Sequence, residues 1–216
     1  MFKSVVVDVD STLSSIEGID WLAARRSEEI RRWVVETTAR AMRGEIPVAD
    51  VYGQRLDAVR PTRNEIVALS RAYVENVEPP ARDSIGVLRH HEIRVILLTA
   101  GLRDAILPLA EAVGVAAEDV YGVSVYFDEL ANYAGFDRDS PLTRNGGKAE
   151  MVRRLGLPRP IVGVGDGITD AEMKLVEPPA IDAFIAYTGF VERPAVVKAA
   201  DHVIRSFAEL PPLILG

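Results

Sequence analysis

Two acidic pairs stand where they could do chemistry: Asp8 with Asp10, and Asp166 with Asp170 inside Gly165-Asp-Gly-Ile-Thr-Asp. Each follows a short apolar run, Val5-Val6-Val7 before the first and Pro160-Ile-Val-Gly-Val before the second, so both are expected in loops at strand ends. Carboxylates brought that close repel, and a shared proton, a cation or separation by the backbone must relieve them. If both strand ends meet at one sheet edge, three or four carboxylates converge. Such a set suits a hard cation of the Mg²⁺ type, which takes few protein ligands and keeps several waters. Lys148 follows Gly146-Gly147 at an expected helix start, and Thr99 precedes Gly101 at another strand-to-helix turn. A hydroxyl, turn N–H groups and an ammonium around a cation are complementary to a phosphoryl group, so the set points to phosphoryl transfer.

Taken singly, each residue has an ordinary structural reading. Asp8 and Asp10 could cap a loop, Thr99 the helix expected from Leu102 and Asp170 the helix that follows it, while Lys148 could be a solvated helix residue. The combination carries the functional reading. Gly163-Val-Gly165-Asp166-Gly167 is not a dinucleotide loop, because its third glycine is misplaced and Asp166 would repel a pyrophosphate.

Positioning these residues requires a sheet. Apolar runs at 5–7, 93–98 and 160–164, with weaker ones at 181–186 and 202–204, alternate with helical stretches such as Leu102 to Val113 and Lys148 to Leu155. That alternation predicts an α/β fold with a parallel, Rossmann-like core whose strand ends bind the ligand. Residues 14–77 break it. They hold no strand-like run and show helical spacing, as in Ile16, Ile19, Leu22 and Ala23. They also carry ten arginines, no lysine and ten acids, whereas the remainder has 15 bases against 22 acids and thus the entire net charge of −7. The reading is a catalytic core of residues 1–13 and 78–216 with an inserted helical cap at 14–77. Val123 to Asp128 and Asn132 to Asp137 read as a small β-hairpin.

A chain of 216 residues with 48% hydrophobic and 26% charged residues is an ordinary globular protein, neither disordered nor collagenous. Having no cysteine excludes disulfides, a thiolate nucleophile and cysteine zinc sites, and three histidines, two of them adjacent, make a histidine metal site a poor reading. The net −7 without a dense basic run argues against a nucleic-acid partner. No apolar run approaches the ~20 residues of a membrane span, and the N-terminus lacks signal-peptide features, so no membrane partner and a cytoplasmic location are the expectations.

Asp8-x-Asp10-Ser11-Thr12, Thr99, Lys148 and Gly165-Asp166-Gly167-x-x-Asp170 occur in the order and on the strand ends of the haloacid dehalogenase-like hydrolase superfamily, which the chain resembles over residues 5 to 170. The insertion after the first motif is similar to the cap of its phosphoserine phosphatase branch. The resemblance implies that Asp8 is a nucleophile forming an aspartyl phosphate and that Asp10 is the general acid and base. It implies a Mg²⁺ ion held by Asp8, the main-chain carbonyl of Asp10, and Asp166, with Asp170 in support, and phosphate contacts from Thr99, Ala100 and Lys148. Glu17, Met42-x-Gly44 and Arg55 match the branch's cap spacing, which implies a small phosphomonoester whose ammonium meets Glu17 and whose carboxylate meets Arg55, with Met42 packed nearby. Phosphoserine is the favoured substrate; another phosphomonoester, phosphotransfer to a different acceptor, and a non-catalytic phosphate-binding module are the alternatives. The sequence departs from the family pattern at Thr99-Ala100-Gly101-Leu102, usually Ser-Gly-Gly-Phe, at Thr169, often Asn, and at Val48, often aromatic.

Overall fold

The computed structural model describes all residues from Met1 to Gly216. The apolar runs become strands because parallel strands covered on both faces need continuous rather than alternating hydrophobicity. Thus β1 (Ser4–Val7) is buried along its whole length. It sits inside a six-stranded parallel sheet of order β3-β2-β1-β6-β7-β8, formed with β2 (Arg94–Leu102), β3 (Val120–Val123), β6 (Ile161–Gly165), β7 (Ala183–Tyr187) and β8 (His202–Ile204). Helices α5 (Ala81–His90), α6 (Arg103–Ala112), α7 (Gly147–Leu155), α8 (Ile168–Leu175), α9 (Pro194–Ala199) and α10 (Leu210–Leu215) make up the rest of this α/β body. No helix is long and apolar enough to cross a membrane.

One expected element divides differently. Alternation alone puts Val123 in the hairpin, but it ends β3, the edge strand beside β2, and the antiparallel hairpin is only β4 (Val125–Phe127) with β5 (Tyr133–Phe136). A short alternating run specifies extended backbone without specifying which sheet it joins. Here the buried Val120 and Val123 commit the first part to the main sheet.

Between β1 and β2 the chain forms α1 (Gly18–Ala23), α2 (Glu28–Met42), α3 (Val48–Val59) and α4 (Arg63–Glu75). Local chemistry delimits them: the Ser27 side chain accepts from the Ile30 N–H to start α2, and Thr62 with Glu65 forms a capping box at α4. The chain leaves and re-enters the body at adjacent points, since Ser14 bridges Val77 and the Glu78 N–H donates to the Leu13 carbonyl at 2.9 Å. Helix α4 packs along α6, and α3 reaches the hairpin, where Asp57 accepts from the Tyr133 hydroxyl at 2.7 Å and pairs with Arg138 at 2.8 Å. One continuous apolar cluster joins the strands to Leu22, Val34, Leu56 and Leu69 of these helices.

Candidate active site

From the central β1 the chain runs outward through β2 and β3 on one side, then returns to build β6, β7 and β8 on the other. The crevice at this reversal, outside the carboxyl ends of the strands, is where open α/β sheets bind ligands. Val7 pairs with both Leu97 and Val164, and the Asp8 N–H still donates to the Val164 carbonyl at 2.9 Å, which places Asp8 at the carboxyl end of β1 between β2 and β6. Asp166 follows Gly165 on the neighbouring strand, and Asp170 comes from the first turn of α8. Carboxylate oxygens of Asp8, Asp166 and Asp170 lie within 4.8 Å of one another, and all three residues are buried. Such an approach needs glycine at 165, where a Cβ would stand 2.2 Å from Asp170 Cγ.

Buried like charges this close require compensation. Lys148, only 5% exposed, puts its Nζ 2.7 Å from Asp8 Oδ1 and 2.6 Å from Asp170 Oδ1. Asp170 Oδ2 accepts from the Gly167 N–H, and Asp166 Oδ1 from the Thr12 hydroxyl at 2.7 Å. The Arg193 guanidinium pairs with Asp166 Oδ2 and donates to the Asp166 carbonyl at 3.1 Å. Burial pulls the Lys148 ammonium down, but Asp170 and Asp8 outweigh it and hold the group above its ordinary range. Burial and then the charge of Asp8 push Asp170 up, against the pull of Lys148. Three buried carboxylates with no nitrogen or sulfur donor among them fit a hard divalent cation.

Asp10 stands apart from that trio. Its Oδ1 accepts from the Gly18 N–H at 2.7 Å and the Tyr73 hydroxyl at 2.6 Å, and its Oδ2 from the Thr99 hydroxyl at 3.0 Å. Burial first and the charge of Asp8 second raise its pKa, while those donors lower it. An acid tuned upward and held by neutral donors is suited to giving and taking a proton. The loop that carries it is tight: Ser11 takes a positive φ of 53°, and Gly18 is required because a Cβ there would meet the Tyr73 hydroxyl at 2.2 Å.

The helical insertion supplies the rest of a narrow cavity of about 50 Å³, lined on one side by Asp8, Asp10, Thr99, Ala100, Lys148 and Asp166 and on the other by Glu17, Asp20, Thr38, Met42, Tyr52 and Arg55. Glu17 accepts from the Ser11 hydroxyl at 2.6 Å; burial, then the charge of Asp10, push it up to about 8. Arg55 is 4% exposed and donates from Nη1 to the Thr38 hydroxyl at 2.5 Å, while its Nε is buried without any acceptor.

Every residue singled out from the sequence therefore falls in or beside this cavity, with two refinements. Thr99 does not cap α6, whose N-cap Leu102 has no side-chain bond; its hydroxyl accepts from the Gly101 N–H and donates to Asp10. Asp170 both closes the first turn of α8 and pairs with Lys148. Val48, whose side chain departs from the family pattern, is buried outside the cavity, and the aromatic there is Tyr52, its hydroxyl donating to the Ala100 carbonyl at 2.7 Å. Sequence reasoning missed Tyr73, Arg193, Thr12, Asp20, Thr38 and Tyr52. Thr12 closes the first motif, two residues after Asp10, but that motif assigns it no role; the others carry no local signal, being helix or loop residues separated along the chain from their partners.

The haloacid dehalogenase-like hydrolase family model matches residues 5–174. A mouse phosphoserine phosphatase is 34% identical over 210 residues, covering 96% of this chain and 91% of its own. The chloroplastic phosphoserine phosphatase of Arabidopsis thaliana is 33% identical over 211 residues, covering 96% of this chain and 70% of its own. Among solved structures, a phosphoserine phosphohydrolase-like protein from Francisella tularensis superposes with a TM-score of 0.89 at 23% identity over 98% of this chain and 99% of its own, a likeness of fold.

Proposed function

The chain belongs to the haloacid dehalogenase-like hydrolases, beside the phosphoserine phosphatases within them, and from that premise we propose that it hydrolyses O-phospho-L-serine to serine and phosphate. The observation that carries this reading is the presence in one small cavity of an acid, Glu17, and the incompletely bonded Arg55, facing the acid cluster at the strand ends. An amino acid phosphoester presents three charged groups, and the cavity has a counterpart for each: an acid for the ammonium, a guanidinium for the carboxylate, and Lys148 with the strand-end loops for the phosphoryl group.

Asp8 engages Lys148 through one oxygen, and its other oxygen is the nucleophile. Attack on phosphorus forms an aspartyl phosphate and breaks the ester bond to the serine oxygen. Asp10 gives that leaving oxygen its proton, then takes one from the water that attacks the aspartyl phosphate, releasing phosphate and restoring Asp8. Thr99, the Ala100 turn and Lys148 hold the phosphoryl oxygens, and the already buried Lys148 needs no reorganisation as charge shifts between them. Asp8, Asp166, Asp170 and the Asp10 carbonyl would hold Mg²⁺, which supplies charge neutralisation for an anion approaching an anionic nucleophile. In this reading residues 14–77 are a cap over the core formed by 1–13 and 78–216, and it closes on the substrate and excludes water.

Phosphoserine, phosphoethanolamine and an aryl phosphate assayed with and without Mg²⁺ test the proposal. Mg²⁺-dependent turnover that favours phosphoserine, lost in Asp8→Asn, is expected. Normal hydrolysis by Asp8→Asn would sink the nucleophile assignment, and equal rates on the three esters would sink the substrate.

A further inference from the structure

Three helices of the insertion meet at one hydroxyl. Thr38 of α2 accepts from Arg55 Nη1 of α3 at 2.5 Å and donates to Asp20 Oδ1 of α1 at 2.6 Å. A threonine hydroxyl has one proton. The Val34 carbonyl is also within reach at 3.0 Å, but the shorter contact to a charged acceptor is the stronger claim on it. Its neighbour Thr37 shows the ordinary fate of a helical threonine, donating to the carbonyl four residues back, Trp33, at 2.6 Å. Thr38 instead joins a carboxylate to a guanidinium that make no direct ion pair. Burial pushes Asp20 up, and the Thr38 hydroxyl and the Arg55 charge pull it back, so the three groups are electrostatically linked. Asp20, Thr38 and Arg55 all line the cavity.

We infer that Thr38, anchored on Asp20, is the positioning residue that orients Arg55, and that this relay sets the preference for substrates bearing a carboxylate. The inference rests on the reading of Arg55 as the carboxylate clamp. An arginine side chain has several rotatable bonds, and a guanidinium tethered at one nitrogen presents its remaining N–H groups in a fixed plane, as bidentate recognition requires. With the hydroxyl removed, Arg55 keeps its charge and loses its direction.

The test compares Thr38→Val, Thr38→Ser, Asp20→Asn and Arg55→Ala in the full chain with Mg²⁺, reading kcat and KM on phosphoserine and on phosphoethanolamine, which lacks only the carboxylate. Valine keeps the β-branched shape in the buried site. Thr38→Val is expected to raise KM for phosphoserine about tenfold more than KM for phosphoethanolamine, the size of one hydrogen bond to a charged group. Asp20→Asn should act in the same direction, Thr38→Ser should restore the preference, and Arg55→Ala should abolish it. If Arg55→Ala abolishes the preference while Thr38→Val weakens both substrates equally or neither, the relay is overturned and the clamp stands. Failure of serine to rescue likewise overturns the relay. Should Arg55→Ala leave the preference intact, the clamp itself falls and the relay with it.

Discussion

The two walls of the cavity are built on opposite electrostatic plans. On the strand-end side each acid has a buried partner within the protein: Lys148 between Asp8 and Asp170, Thr12 and Arg193 on Asp166, and Tyr73, Thr99 and the Gly18 N–H on Asp10. On the helical side Arg55 Nε has no acceptor, and Glu17 is driven up by burial and by Asp10. In the proposed reading the first wall is preorganised for chemistry at phosphorus, whatever alcohol the ester carries, and the second recognises the rest of the substrate. Fixed dipoles and charges accelerate a reaction when they need not reorganise, whereas specificity arises where unpaired buried groups penalise the wrong ligand.

Replacing Lys148 should separate the walls most sharply. Lys148→Met is expected to lower kcat about 10³-fold on phosphoserine and phosphoethanolamine alike. It also leaves Asp8 and Asp170 buried without their counter-charge, so thermal unfolding without metal should show a loss of about 3 kcal/mol. Excess Mg²⁺ should return the stability and not the rate. A variant that kept its rate would mean that Lys148 serves stability alone and that the first wall is not catalytic in the sense drawn here.

Tyr73→Phe tests whether the division follows chemistry or chain segment, because Tyr73 belongs to α4 of the insertion but donates to Asp10. Losing that donor removes a stabiliser of the charged carboxylate, so the Asp10 pKa should rise further and the limb of the kcat–pH profile that reports it should move to higher pH. The expected fall in kcat is about tenfold, equal for the two esters. A fall confined to phosphoserine would place Tyr73 with the recognition wall.

Glu17 offers the smallest and most specific effect. With its pKa pushed up to about 8, it is mostly protonated in the free cavity at pH 7 and becomes a carboxylate as the pH rises through that value. Only the carboxylate attracts an ammonium, so KM for phosphoserine should fall roughly eightfold from pH 7 to 8.5, in line with the ionised fraction of such a group. Phosphoglycolate, which has no ammonium, should not show this limb. Parallel profiles for the two substrates would remove Glu17 from ammonium recognition.

The distribution of what was legible follows the same division. Asp8, Asp10, Thr99, Lys148, Asp166 and Asp170 were found because a parallel sheet leaves its ligand-binding residues in short loops directly after apolar runs, where order along the chain nearly fixes position in space. Glu17 and Arg55 were reached through resemblance, since helical spacing in residues 14–77 identifies an apolar face but not what that face will meet. Asp20, Thr38, Tyr73 and Arg193 carry nothing in their local sequence that singles them out. The same limit separated β3 from the hairpin, because alternation cannot name the sheet a strand will join.

The sequence by itself determined the parallel α/β body, the helical insertion between β1 and β2, and the acid pairs at the strand ends, all of which rest on patterns a few residues long. Tertiary structure decided which charges neutralise one another. Lys148 between Asp8 and Asp170, Arg193 on Asp166, Tyr73 on Asp10 and Thr38 between Asp20 and Arg55 are partnerships across 17 to 140 positions of chain. The physical reason is that backbone patterning is a local property, set by burial periodicity and turn chemistry. Electrostatic compensation depends on distances of a few ångströms that exist only once the helices have packed on the sheet.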